Sequence, residues 1–158
     1  MDIYQQLDNL AIPYQKFEHQ AVFTCEQASA LQLDIEGIQT KNLFIKDRKG
    51  KRHFLVVLPD EKSLNLKELS LLLEVNGLNL ASPDRLARYL ATTPGAVSIL
   101  DILKDTDNNV ELVIDTDVWL ADAIQCHPYT NTATISMTLA NMQKLLQAFN
   151  KVPKLIII

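Results

Sequence analysis

The chain has 158 residues, 47% of them hydrophobic and 22% charged, which is the balance of an ordinary globular domain and excludes fibrous or disordered classes. That length buries one real core without disulfide or metal staples, so a single domain over residues 1–158 is expected. The formal net charge of −4 argues against a protein that wraps an extended nucleic-acid duplex, and no run approaches the roughly 18 apolar residues needed to span a membrane.

Met1-Asp2-Ile3-Tyr4-Gln5 has neither a basic region nor an apolar run, so a cytoplasmic protein is expected. The two cysteines, Cys25 and Cys126, lack partners at metal-ligand spacing and read as reduced thiols.

In chain order, Asp2 can cap a helix that places Ile3, Leu7 and Leu10 on one face and ends at Pro13. Tyr14 to Glu18 follows as a short strand. Thr24-Cys25-Glu26-Gln27 has capping-box spacing and opens a helix through Ala28 and Leu31, with Gly37 beyond its end. Lys41 to Lys46 and Phe54 to Leu58 are strand-like runs joined by Asp47-Arg48-Lys49-Gly50-Lys51, a polar turn containing glycine, and so form a β-hairpin. Asn65 caps a Leu-rich helix to about Glu74, Leu78 to Ala81 is a short strand, and Ser82-Pro83 opens another helix. Val110 to Ile114 is a strand, and Thr132 to Met137 alternates with period two. Thr138 then caps a helix whose buried stripe is Leu139, Met142, Leu145, Leu146 and Phe149. The apolar tail Lys154 to Ile158 reads as a terminal strand. Strands and helices mix without regular βαβ alternation, so an α+β fold follows, with a curved, mixed, largely antiparallel sheet flanked by helices.

Charge is distributed unevenly. Lys41, Lys46, Arg48, Lys49, Lys51 and Arg52 oppose only Asp47 between residues 41 and 52, which leaves about +5 there and about −9 elsewhere. Such a patch suits one end of a tRNA, and it equally suits a solvated turn kept soluble by lysines.

The common catalytic signatures are absent: there is no G-x-S-x-G elbow, Walker loop, H-E-x-x-H or G-x-G-x-x-G. Cys126 and His127 are adjacent, and neighbours in a strand point to opposite faces, so the imidazole does not readily reach the thiol. Cys25 reads as a small buried hydrophobe. His19 ends a strand and His53 sits at the basic turn, neither with a ligand neighbour, so no metal and no cofactor are expected.

Three segments stand out together: Thr40-Lys41-Asn42-Leu43-Phe44-Ile45-Lys46-Asp47, Thr93-Pro94-Gly95-Ala96-Val97-Ser98, and His127-Pro128-Tyr129-Thr130-Asn131-Thr132-Ala133-Thr134. In this order they resemble the YbaK/ProX family, which includes the editing domain inserted in bacterial prolyl-tRNA synthetases and its free-standing relatives. The likeness runs along nearly the whole chain and is greatest to the free-standing ProX-like deacylases acting on alanyl-tRNA(Pro).

The resemblance implies a carboxylic ester hydrolase that removes alanine wrongly esterified to proline tRNA. Its partners would be the acceptor end of mischarged tRNA and prolyl-tRNA synthetase. Lys41 corresponds to the family's essential lysine and Asn42 to its polar companion; an ammonium there can hold the terminal phosphate or offset charge developing on an ester carbonyl. Gly95 corresponds to the glycine-bearing loop against the aminoacyl group, where backbone N–H groups can approach a ligand closely. The proline found four positions after this glycine in the synthetase insertion is missing here. His127 matches a histidine that shapes the amino-acid pocket, and Asn131, Thr134, Ala96 and Lys46 are carried over as further substrate-binding positions. The family offers no side chain as general base and implies that a ribose hydroxyl of the substrate assists the attacking water. A non-catalytic binding module of the same fold, or a deacylase for Cys or Ser, are the alternatives within this likeness.

Overall fold

A computed structural model describes residues 2–21, 27 and 34–158. The expected helix from Thr24 through Leu31, and Cys25 with it, falls outside these residues apart from Gln27. The elements in order are α1 (Ile3–Asn9), β1 (Gln15–Glu18), β2 (Thr40–Asp47), β3 (His53–Pro59), α2 (Leu66–Leu72), β4 (Leu78–Leu80), α3 (Pro83–Leu90), a 3-10 helix (Ile99–Lys104), β5 (Val110–Asp115), α4 (Thr116–Trp119), β6 (Ala123–Cys126), β7 (Ala133–Thr138), α5 (Leu139–Ala148) and β8 (Lys154–Ile156).

The α+β class and the dominance of antiparallel pairing hold. The strands divide between two sheets rather than forming one: β1-β7-β6 and β4-β2-β3-β5-β8. Between the named strands, parallel pairing is confined to β3 with β5 and β5 with β8. All seven residues of β3 are buried, the signature of a central strand covered on both faces. Leu55 and Val57 face one core with Phe44, Leu112, Ile114 and the apolar sides of α1, α3 and α5. Phe54, Val56 and Leu58 face a second core with Ile45, Val113 and Leu69 of α2. Each such side chain contributes about 1.5–3 kcal/mol by leaving water, and strand geometry sends successive residues of β3 to the two cores in turn.

Local rules explain most ends. Asp2 and Gln5 close a capping box on α1, and Asn65, Ser82 and Thr138 each accept the N–H three residues on. The first helix stops at Asn9 rather than at Pro13, because Ala11 at φ 54° reverses the chain and Ile12 N–H bonds back to Leu7 O at 2.9 Å. His53 lies inside the hairpin and not at its turn: it is 2% exposed and pairs in register with Lys46. The 3-10 helix, α4 and β6 are elements that sequence periodicity did not mark, being short and without a full amphipathic period.

The segment 35–39 joins the two sheets. Ile38 N–H donates to Ala123 O at 2.9 Å and Gln125 N–H donates to Ile38 O at 3.1 Å, a parallel bridge to β6. The Gln125 amide donates to the carbonyls of Ile35 and Gly37, and Ser136 Oγ to that of Glu36. Gly37 has φ +109°, and a Cβ there would stand 3.0 Å from the backbone N and C of Ile124. Both the dihedral and the close approach exclude a side chain. Gly37→Ala should therefore destabilise the fold by about 1–3 kcal/mol, measured as a lower urea midpoint with unchanged m-value; an unchanged midpoint would contradict the close approach.

Candidate active site

Strand β2 is paired with β3 from Thr40 to Lys46 but meets β4 only at Ile45, Lys46 and Asp47. Its first half thus leaves one edge unpaired by β4, and a cleft of about 440 Å³ opens there, within the range of small-ligand sites of about 300–1,000 Å³. Thr40, Lys41, Asn42, Leu43 and Phe44 form one wall, with Asp60 at its end. Leu80, Ala81, Pro83 and Leu86 form the second wall; Pro94, Gly95 and Val97 form the third; Gln125, Cys126, His127 and Thr134 of the smaller sheet close it.

The structure thus brings Lys41, Asn42, Gly95, His127 and Thr134 to one cleft from segments spread over more than half the chain. Ala96, Lys46 and Asn131 are not part of its lining. Ala96 N–H is committed to Thr93 O at 3.1 Å, closing a turn with Pro94 second and Gly95 third at φ +89°. This is the residue order of a type II turn, in which the third position requires a positive φ. Gly95 lines the cleft, and its N–H makes no backbone hydrogen bond among the described residues. Lys46 lies farther along β2, its Nζ 3.5 Å from Asp47 O.

Charge in the cleft is sparse. Lys41 is the one cation in its described lining and Asp60 the one carboxylate. Burial first, opposed by a hydrogen bond to Ala133 O and reinforced by His19, lowers the pKa of His127 below the ordinary imidazole value. With Nδ1–H donating to Ala133 O at 3.2 Å, the neutral ring leaves Nε2 as an acceptor. The Asn42 amide reaches Thr40 Oγ1 at 3.4 Å, and its oxygen is buried without a hydrogen-bond partner among the described residues. Cys126 is buried and its thiol is pushed up to about 12 by burial, so no thiolate is available beside His127.

Two supporting contacts escaped sequence reasoning because they join distant residues. His19 Nε2 meets Thr134 Oγ1 at 2.8 Å while its Nδ1 lies 2.8 Å from Gln20 O. The ring donates from Nδ1 to the carbonyl and hydrogen-bonds the hydroxyl through Nε2, orienting Thr134 at the cleft. On the far side, His53 packs against Phe44 and Tyr89 at centroid distances of 5.6 and 4.1 Å, and Arg85 donates to its Nε2 at 2.9 Å. Arg85 also donates to Gly50 O, so α3 grips the hairpin turn. The basic hairpin is partly neutralised, since Arg52 makes a bidentate pair with Glu111 at 2.9 and 2.7 Å.

Among the described residues no group of three His, Cys, Asp or Glu could hold a metal ion, and no helix is long and apolar enough to cross a membrane.

A two-sheet α+β domain with a cleft of this size, one lysine and a glycine turn defines a small-ligand binding or catalytic domain. A family model described as aminoacyl-tRNA editing domain matches residues 19–145, and the chain belongs to that family. It is 36% identical over 148 residues to the prolyl-tRNA editing protein ProX of Acetoanaerobium sticklandii, covering 92% of this chain and 89% of the relative. It is 34% identical over 154 residues to prolyl-tRNA synthetase associated domain-containing protein 1 of Danio rerio, covering 96% and 83%. Among solved structures it resembles the hypothetical protein APE2540, with TM-score 0.73, 18% identity and 96% of both chains covered. It also resembles a protein assigned provisionally as a trans-editing enzyme for prolyl tRNA synthetase, with TM-score 0.68, 18% identity and 96% and 91% covered. These two likenesses carry the fold.

The packing of His53 generates a pH test. Burial first and the Arg85 charge second lower its pKa, so the fold favours the neutral ring. The stability this supplies is complete above the unfolded value of about 6.5 and is lost as pH falls from there toward the lowered folded value. His53→Gln should flatten the part of the stability curve below pH 6.5, read by urea unfolding at pH 7.5 and 5.5; equal slopes in the two proteins would refute the assignment.

Proposed function

We propose that this chain is a trans-editing hydrolase that cleaves the ester of alanine wrongly attached to proline tRNA. The observation that carries the reading is the convergence of Lys41, the Gly95 turn and neutral His127 on one cleft in a chain 36% identical to ProX. The partner is the acceptor end of the mischarged tRNA. A contact with prolyl-tRNA synthetase is proposed on the same ground, since the vertebrate relative's name associates that protein with the synthetase.

In this reading the terminal ribose carries the aminoacyl group into the cleft along the open edge of β2. Water attacks the ester carbonyl, and the developing oxyanion is met by the Lys41 ammonium and the Gly95 N–H, donors already in place before the charge appears. A ribose hydroxyl of the substrate assists the attacking water, consistent with a lining whose imidazole is neutral and whose thiol is protonated. Proline is excluded by clash, and alanine is admitted. Exclusion by overlap discriminates more strongly than the about 1–3 kcal/mol that a lost methylene contact supplies, and so a second sieve can correct what the synthetase cannot.

Lys41→Ala should lower single-turnover deacylation of alanyl-tRNA(Pro) by about 100-fold or more. Its thermal midpoint should stay within a degree or two of the parent's, because a half-exposed lysine at a strand start supports little of the core. Similar rates in the two proteins would remove Lys41 from the site. The broader test compares deacylation of alanyl- and prolyl-tRNA(Pro) on the same tRNA. Alanine should be released much faster than proline, and a ratio near one would end the editing reading for alanine.

A further inference from the structure

Asp60 has no part in the site as read from the sequence. It is the single carboxylate in the described lining of the cleft, and its backbone is held on both sides. Its N–H donates to Gln39 O at 3.0 Å, beside the start of β2. The following turn closes with Lys62 N–H on Pro59 O at 3.1 Å. Lys62 is in turn clamped: its Nζ lies 2.8 Å from Asp115, 2.7 Å from Asp117 and 3.0 Å from the Ile158 carbonyl. The turn that carries Asp60 is thus pinned before any ligand arrives, with Asp60 in the cleft lining.

Its surroundings suit a cation. Lys41 acts on the Asp60 carboxyl through space without closing a salt bridge to it, so neither charge is consumed by the other. Partial burial, and then Glu61, push the Asp60 carboxyl upward, and the backbone N–H groups of Asp60 and Glu61 together with Lys41 offset this only in part. A cationic group placed beside it would offset the rest.

An aminoacyl ester carries such a group two bonds from its reacting carbon. A free α-amine is protonated in large part near neutral pH, and Lys41 alone would repel it from a cleft of this size. We propose that the Asp60 carboxylate receives the α-ammonium of the aminoacyl ester, and that it selects free aminoacyl groups over esters lacking that charge. This rests on the deacylase reading above. It assigns a substrate-specificity contact: Asp60 touches the amino group, Lys41 the carbonyl side, and the ester lies between opposite charges.

The test compares alanyl-tRNA(Pro) with lactyl-tRNA(Pro), made from it by nitrous acid, which replaces the ammonium with a neutral hydroxyl of similar size. Each enzymatic rate is divided by the spontaneous hydrolysis rate of the same ester, since the ammonium itself activates the ester. The wild-type acceleration should be larger for alanyl than for lactyl by about tenfold or more, the worth of one hydrogen bond to a charged group. Asp60→Asn should reduce the alanyl acceleration by a similar factor and leave the lactyl value unchanged, and Asp60→Glu should recover part of the difference. Equal losses on both esters would overturn the proposal, because they would show Asp60 acting through Lys41 or through the fold. So would no loss on either. A wild-type protein inactive on alanyl-tRNA(Pro) would instead overturn the deacylase reading, and this contact with it.

Discussion

Everything about the site depends on the passage of the chain from one sheet to the other at residues 35–39. The crossing is possible because Gly37 has no side chain: its α-carbon lies against the backbone of Ile124, where even a methyl group would stand 3.0 Å from two main-chain atoms. Three side-chain hydrogen bonds to the carbonyls of Ile35, Glu36 and Gly37 then fix the path. These donors come from β6 and β7, the strands that carry or precede the His127 wall. The same interaction that joins the sheets thus brings the Lys41 and His127 walls to one cleft.

Strand β2 then serves two purposes in sequence. Its second half is stitched between β3 and β4 and belongs to the core through Phe44 and Ile45. Its first half keeps one edge free of β4, and there the chain begins to present polar side chains. A sheet edge is a hazard when exposed, and here it forms one wall of the cleft. Binding surface and core are thus two ends of one strand, with the His53, Tyr89 and Arg85 cluster bracing Phe44 where they meet.

The electrostatics are economical. A thiol held protonated and an imidazole held neutral contribute shape and hydrogen bonding but no charge. What remains is one ammonium and one carboxylate at the start of β2, with a backbone N–H on the facing turn. A substrate that carries a cationic amine and develops an anionic oxygen matches that arrangement, whereas the solvated lysines of the hairpin tip stand apart from the cleft lining.

The hairpin, the helix caps at Asp2, Asn65, Ser82 and Thr138, the last amphipathic helix and the terminal strand were legible from the sequence because each depends on residues two to four apart. So were Lys41, Gly95 and His127 as candidates, through three separated segments that keep the order of a known family. The division into two sheets, the burial of His53, the hydrogen bond from Thr134 to His19 and the presence of Asp60 in the cleft were not legible. Nor was the separation of Lys46, Ala96 and Asn131 from its lining. Each of these rests on pairing between segments from about 20 to more than 100 residues apart, and strand period does not encode which edges meet. Local chemistry determined the elements and nominated the residues; long-range register, permitted by the missing side chain of Gly37, decided which of them share a site.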